Sequence, residues 1–168
     1  MNDKAGSMGA GAAWGIVIAG SAVGSLIGGF VPGIVGWLLA TLIIAGTGWA
    51  AVFMTKATAG KGIVAFLVGG VASFIVSYIV YKMQISSAMA AATAEIAKNA
   101  KGTGNAQLDS QLAAGGGAMM AAAATAGLIM AGVFSFLRTF LVGMVGCFIG
   151  NAMKKSAMGG SGAVAKAA

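Results

Sequence analysis

The feature that most constrains this chain is an unbroken charge-free run from Ala13 to Met54, 42 residues without an Asp, Glu, Lys or Arg. A single helix of that length would measure about 63 Å, twice the hydrocarbon thickness of a bilayer. Residues 62–81 and 110–137 are equally free of charge. A soluble domain carries about a quarter charged residues and patterns its apolar positions. Here only 8% of 168 residues are charged and 59% are hydrophobic. Runs of about 20 apolar residues match the bilayer core, where the backbone must satisfy its own hydrogen bonds within a helix. The expected fold class is all-α: a polytopic helical membrane protein, forming one membrane domain over residues 1–168. Four transmembrane helices, with five as the alternative, would pack closely through Gly and Ala.

Something must divide the first run, and "FVPGIVG" holds the turn-forming pair Pro32 and Gly33. This predicts spans at about 13–31 and 34–54. Trp14 and Trp49 then lie at one membrane interface and Trp37 near the other, as an aromatic belt requires. "TKATAGKG" (55–62) is a short basic loop, and a third span covers about 63–83, closed by the interfacial anchors Tyr78, Tyr81 and Lys82. Residues 84–117 form a polar connection. In it "SSAMAAATAEIAKNA" can extend the third helix, and "KGTGNAQLDSQLAAGGG" reads as flexible. The last apolar block, 118–153, is too long for one ordinary span and slightly short for two. Either one long helix carries Arg138 near its middle, or Arg138 and Thr139 mark a turn between short spans. "FLVGGVASFI" (66–75) and "FLVGMVGCFI" (140–149) agree at seven of ten positions, which mildly favours a duplicated hairpin. The N-terminal "MNDKAGSMGAGAAW" lacks the pattern of a cleavable signal peptide.

Small residues recur at helical spacing. Gly20, Gly24 and Gly28 form one stripe, Ser21, Ser25, Gly29 and Gly33 a second beside it, and Gly146 and Gly150 a third. Such stripes let helix backbones approach closely, which matters where lipid supplies no hydrophobic drive between helices. With small residues around so much of its circumference, the first span can pack on more than one face, pointing to a homo-oligomer.

The chemistry that is missing narrows function. There is no histidine, and the three acids, Asp3, Glu95 and Asp109, fall outside the apolar blocks. An imidazole base, a metal cluster and an intramembrane carboxylate relay are therefore not expected, and no enzyme activity is. "ATAGKGI" lacks the first glycine and the Ser or Thr of a phosphate loop. Cys147 is the sole cysteine and reads as a packing residue. The net charge of +7 comes from scattered Lys and Arg at segment ends, which fits a membrane surface and offers no direct nucleic-acid site. With four spans Lys4, Lys56, Lys61, Lys154, Lys155 and Lys166 share one side, cytoplasmic by the positive-inside rule.

Arg138 in "FSFLRTFLVG" is the exception within the apolar blocks. A mid-membrane arginine costs roughly 2.5–3.5 kcal/mol on insertion scales unless it finds water, a partner or a headgroup. With no acid in the spans, the options are a lumen, a lipid headgroup, a turn at the interface or carbonyls of a neighbouring helix. A turn or lumen is favoured.

"GWAAVFMTKATAGKGIVAFLVGGVASFIV" (48–76) resembles the hairpin of conjugative and type IV secretion pilins: two Gly/Ala-rich apolar helices joined by a short Lys-containing loop. The resemblance implies subunits drawn from a bacterial inner membrane into a helical tube, bound phospholipid, and Lys56 and Lys61 as the charges of a lumen-facing loop; Arg138 is a lumen or lipid-headgroup candidate from its own position. No other cofactor is expected. Taken together, the expected function is a structural, self-assembling membrane subunit, pilin-like or a membrane component of a secretion or conjugation apparatus. Its partners would be copies of itself, membrane lipids and other secretion-machine subunits. An oligomeric pore lined by Lys and Arg is the alternative, and a membrane-embedded viral coat protein a further one.

Overall fold

A computed structural model describes residues 8–100 and 105–164. Among them are four helices: α1 Ala12–Phe30, α2 Gly33–Phe53, α3 Ala59–Ala100 and α4 Ala106–Val164. Each is long and apolar enough to cross a membrane. The chain is an all-α polytopic helical membrane protein.

Pro32 and Gly33 do divide the first apolar run. Gly33 takes φ +72°, a left-handed conformation that costs a residue with a Cβ about 1 kcal/mol or more. A Cβ at Gly33 would meet nothing, so this glycine makes the turn and is not part of a packing stripe as its spacing predicts. α1 and α2 contain 19 and 21 residues, about 28 and 32 Å of helix, which matches one bilayer crossing each.

α3 and α4 are far longer, at 42 and 59 residues, or about 63 and 88 Å. α4 runs unbroken through Arg138 and Thr139, so the last apolar block is one helix and not a hairpin with a turn there. "FSFLRTF" holds no Gly, Pro, Asn or Asp to make such a turn. The expected loose connection is also largely helical, with α4 starting at Ala106. Asn105 caps it, its Oδ1 accepting from the backbone N–H groups of Gln107 at 3.1 Å and Leu108 at 3.4 Å. Asp109 in the first turn complements the helix dipole. Residues 101–104 lie outside the described residues.

Four helices form a square in which α1 packs on α2 and α3, and α4 packs on the same two. α2 and α3, joined by the basic loop, lie across a diagonal and touch little. One end of the bundle gathers the start of α1, the α2–α3 loop and Lys154 of α4. The other gathers the α1–α2 turn, Tyr81 and Gln84 of α3, and Arg138. Past that second end α3 and α4 continue together as a hairpin that α1 and α2 are too short to cover.

The interior changes character along its length. Toward the lysine end it is apolar: Val17, Ile44, Val52, Phe66 and Cys147 are fully buried. Toward the other end buried hydroxyls of Ser25, Ser73, Ser77, Ser135 and Thr139 join apolar Ala40 and Val80.

Candidate functional site

Three helices contribute hydroxyl pairs four residues apart: Ser21 and Ser25 on α1, Ser73 and Ser77 on α3, Ser135 and Thr139 on α4. That spacing places each pair on one helix face, one turn apart, and all six side chains are buried. Ser73 Oγ hydrogen-bonds Ser25 Oγ, Ser135 Oγ at 2.9 Å and Thr139 Oγ1 at 2.8 Å. Ser77 Oγ donates to Ser135 Oγ at 2.8 Å. Each hydroxyl has one proton and two lone pairs, so such a cluster can satisfy itself without water. Ser21 lies one turn deeper, where its Oγ is buried without a partner against Gly69.

Arg138 stands directly above this cluster. Helical side chains tilt toward the helix N-terminus, and from Arg138 that direction leads out of the bundle toward the α1–α2 turn. The guanidinium therefore climbs to the end of α1 and borders two adjoining cavities. One, of about 320 Å³, is lined by Ser25, Ser77, Ser135, Trp37 and Tyr81 among others. The other, of about 470 Å³, lies under Phe30–Gly33 and reaches Gln84. Both include Gly28 and Gly29. Arg138 Nε is buried without a hydrogen-bond partner among the described residues. Glu95 and Asp109 are near the far end of the α3–α4 hairpin, and Asp3 lies outside the described residues. Arg138 thus lies neither at a turn of its own helix nor deep in the apolar core. It sits half-buried beneath another pair's turn.

The other residues singled out from the sequence divide between the two ends. Lys56 and Lys61 are exposed at the end opposite Arg138, so the three cations do not form one site. Lys61 borders a shallow cavity with Ala10, Gly11, Trp14 and Val64. "ATAGK" simply leads into the start of α3 at Ala59, with the Lys61 N–H donating to Thr58 Oγ1 at 3.4 Å. Trp14 and Trp49 share the lysine end, while Trp37, Tyr78, Tyr81 and Lys82 lie toward the other. Trp49 stacks on Phe53 and donates its Nε1–H to Met153 Sδ at 3.2 Å.

Both α1 stripes are used inside the chain. Gly20 and Gly24 face Thr47 and Ile44 of α2, and Gly28 faces Ala40 and Arg138. Ser21, Ser25 and Gly29 face Gly69, Ser73 and Val80 of α3. Gly146 and Gly150 lie against the α2 backbone at Ala45 and Trp49. These stripes therefore pack within one copy of the chain, while Gly11, Gly15 and Ala19 face outward.

Lys154 was legible only as a flanking charge. Its Nζ donates to the carbonyls of Thr55 at 2.6 Å, and of Val52 and Ala57 at 3.3 Å each. The serine and threonine pairs could have been found from their four-residue spacing inside the apolar blocks.

The chain matches no known protein family, no characterised protein and no solved structure.

Proposed function

We propose that this protein is a structural membrane subunit that assembles with copies of itself through the part of the α3–α4 hairpin lying beyond the α1–α2 turn. The observation that supports this reading is the surface of that hairpin. Met83 is 65% exposed, Met119 77% and Met130 56%, and Ile129 is half exposed as well. Six of the nine α4 residues between Met119 and Ile129 are Ala or Gly, a surface on which another helix can approach closely. Within the four-helix section, outward apolar side chains such as Leu42 and Phe148 have lipid as their solvent. Beyond it they have no cover from α1 or α2. The small-residue stripes of α1 support folding of one copy, so assembly rests on the hairpin.

Size measurement on the full chain in detergent, by light scattering or mass photometry with electron microscopy, tests the proposal. Defined oligomers are expected, and Met119→Glu with Met130→Glu shifts them toward single copies. A wild-type chain that stays monomeric across the accessible concentration range overturns it.

A further inference from the structure

We infer that the cavities beneath the α1–α2 turn form a binding site for a phosphate-type oxyanion, with Arg138 as its charge partner. Arg138 is an uncompensated cation among the described residues. A guanidinium carries five N–H donors and stays charged in proteins. Here Nε is buried and unpartnered, and the carboxylates of the described chain lie at the far end of the hairpin. Burying a charge is costly unless it is paired and hydrogen-bonded.

Shape and lining fit the same ligand. The smaller cavity, about 320 Å³, is roughly ten times the ~30 Å³ share of one water. Gly28 leaves room for the guanidinium beside it: a Cβ there would lie 3.3 Å from a terminal nitrogen of Arg138. Hydroxyl-bearing side chains of Ser25, Ser77, Ser135 and Tyr81 line it, and the Tyr81 hydroxyl, which takes no part in the serine cluster, can donate to anionic oxygen. A planar guanidinium fork pairs with phosphate oxygens two at a time.

Position selects the phosphate. α1 and α2 each match one bilayer crossing, which places their connecting turn at the membrane edge. Trp37 and Tyr81, whose rings favour the headgroup layer, wall the cavity. The oxyanion would be a lipid headgroup phosphate entering from the bilayer or free inorganic phosphate entering from water. In either case it neutralises Arg138 and joins the α1–α2 turn to α3 and α4.

The test uses the purified full-length chain and native mass spectrometry with added phosphatidylglycerol or diacylglycerol. Phosphatidylglycerol is expected to remain bound where diacylglycerol does not. Arg138→Gln should weaken its retention about tenfold or more, while Lys82→Gln, removing an exposed cation near the same end, leaves it unchanged. Displacement by inorganic phosphate assigns the site to the free anion, and its absence to the headgroup. Equal retention of both lipids, or equal losses in the two variants, overturns the proposal. If Arg138→Gln loses its helical circular dichroism, the wild-type chain decides. Phosphatidylglycerol or phosphate must then raise its unfolding midpoint relative to diacylglycerol and chloride, and an unmoved midpoint is equally fatal. Adducts are counted per chain at any assembly size, so the outcome is separate from that for self-association.

Discussion

Lys154 holds three backbone carbonyls that the end of α2 and the loop after it would otherwise leave unpaired. Its ammonium also sits where the partial negative charge of the α2 C-terminus is concentrated. Thr55 contributes from inside the loop, with its hydroxyl on the Ala51 carbonyl and its Oγ1 accepting from the Ala57 N–H at 3.0 Å. Met8 adds a short bridge, accepting from the Lys56 N–H at 2.9 Å and donating to the Met54 carbonyl at 3.1 Å. Four parts of the chain thus meet around one half-buried side chain. Lys154→Met should destabilise the fold by about 1–3 kcal/mol and speed hydrogen exchange at residues 52–58. The exposed neighbour Lys155→Met should do neither. Thermal unfolding in detergent and exchange mass spectrometry check the pair.

Between elements, the closest approach is the seam between α2 and α4. A Cβ on Gly48 would lie 2.5 Å from the Gly143 carbonyl oxygen and 3.0 Å from the Cys147 nitrogen. Both are backbone atoms, so neither can move aside without moving its helix. Gly46, two residues earlier, faces open space. Gly48→Ala should therefore lower the unfolding midpoint. Gly46→Ala should hold or raise it, because an unobstructed Ala favours a helix by about 0.8–1.0 kcal/mol over Gly. A loss at Gly46 equal to that at Gly48 would contradict this seam. The α1–α3 contact adds a different chemistry, since a Ser25–Ser73 hydrogen bond joins the close glycine contacts at Gly29 and Gly69. Inter-helix bonds of that kind contribute about 0.6 kcal/mol each in membranes. The hydroxyl cluster therefore sets register more than it supplies stability.

For the molecule as a whole, the helices divide the charge. Lys56, Lys61, Lys154 and Lys155 gather at one end, while the α3–α4 hairpin leaves from the other. The positive-inside rule predicts a cytoplasmic lysine end if Lys4 and Lys166 join it, since Lys82, Lys98, Lys101 and Arg138 otherwise balance the count. Lys56→Cys should then resist a membrane-impermeant maleimide added outside intact cells, and Ser87→Cys on the exposed hairpin should react. Labelling of both from one side would contradict the four-crossing topology. Native Cys147 is buried against Gly62 and Gly48 and should not interfere.

The amino-acid sequence alone determined the class of fold and its first crossings. Charge-free length is set by bilayer thickness, and Pro32–Gly33 is a local turn whose conformation needs no distant contact. The sequence could not show that "KGTGNAQLDSQLAAGGG" joins a helix through an Asn105 cap, because glycine-rich composition favours a loop unless a cap and a paired helix outweigh it. Nor could it show which small-residue stripe meets which helix, since spacing fixes a face but not its partner. Arg138 carries the same lesson. Its identity as an unpaired cation follows from counting acids, but its height in the bundle depends on helices distant in sequence. Only their packing places its guanidinium beneath Pro32 and Gly33, above five linked hydroxyls and away from Lys56 and Lys61.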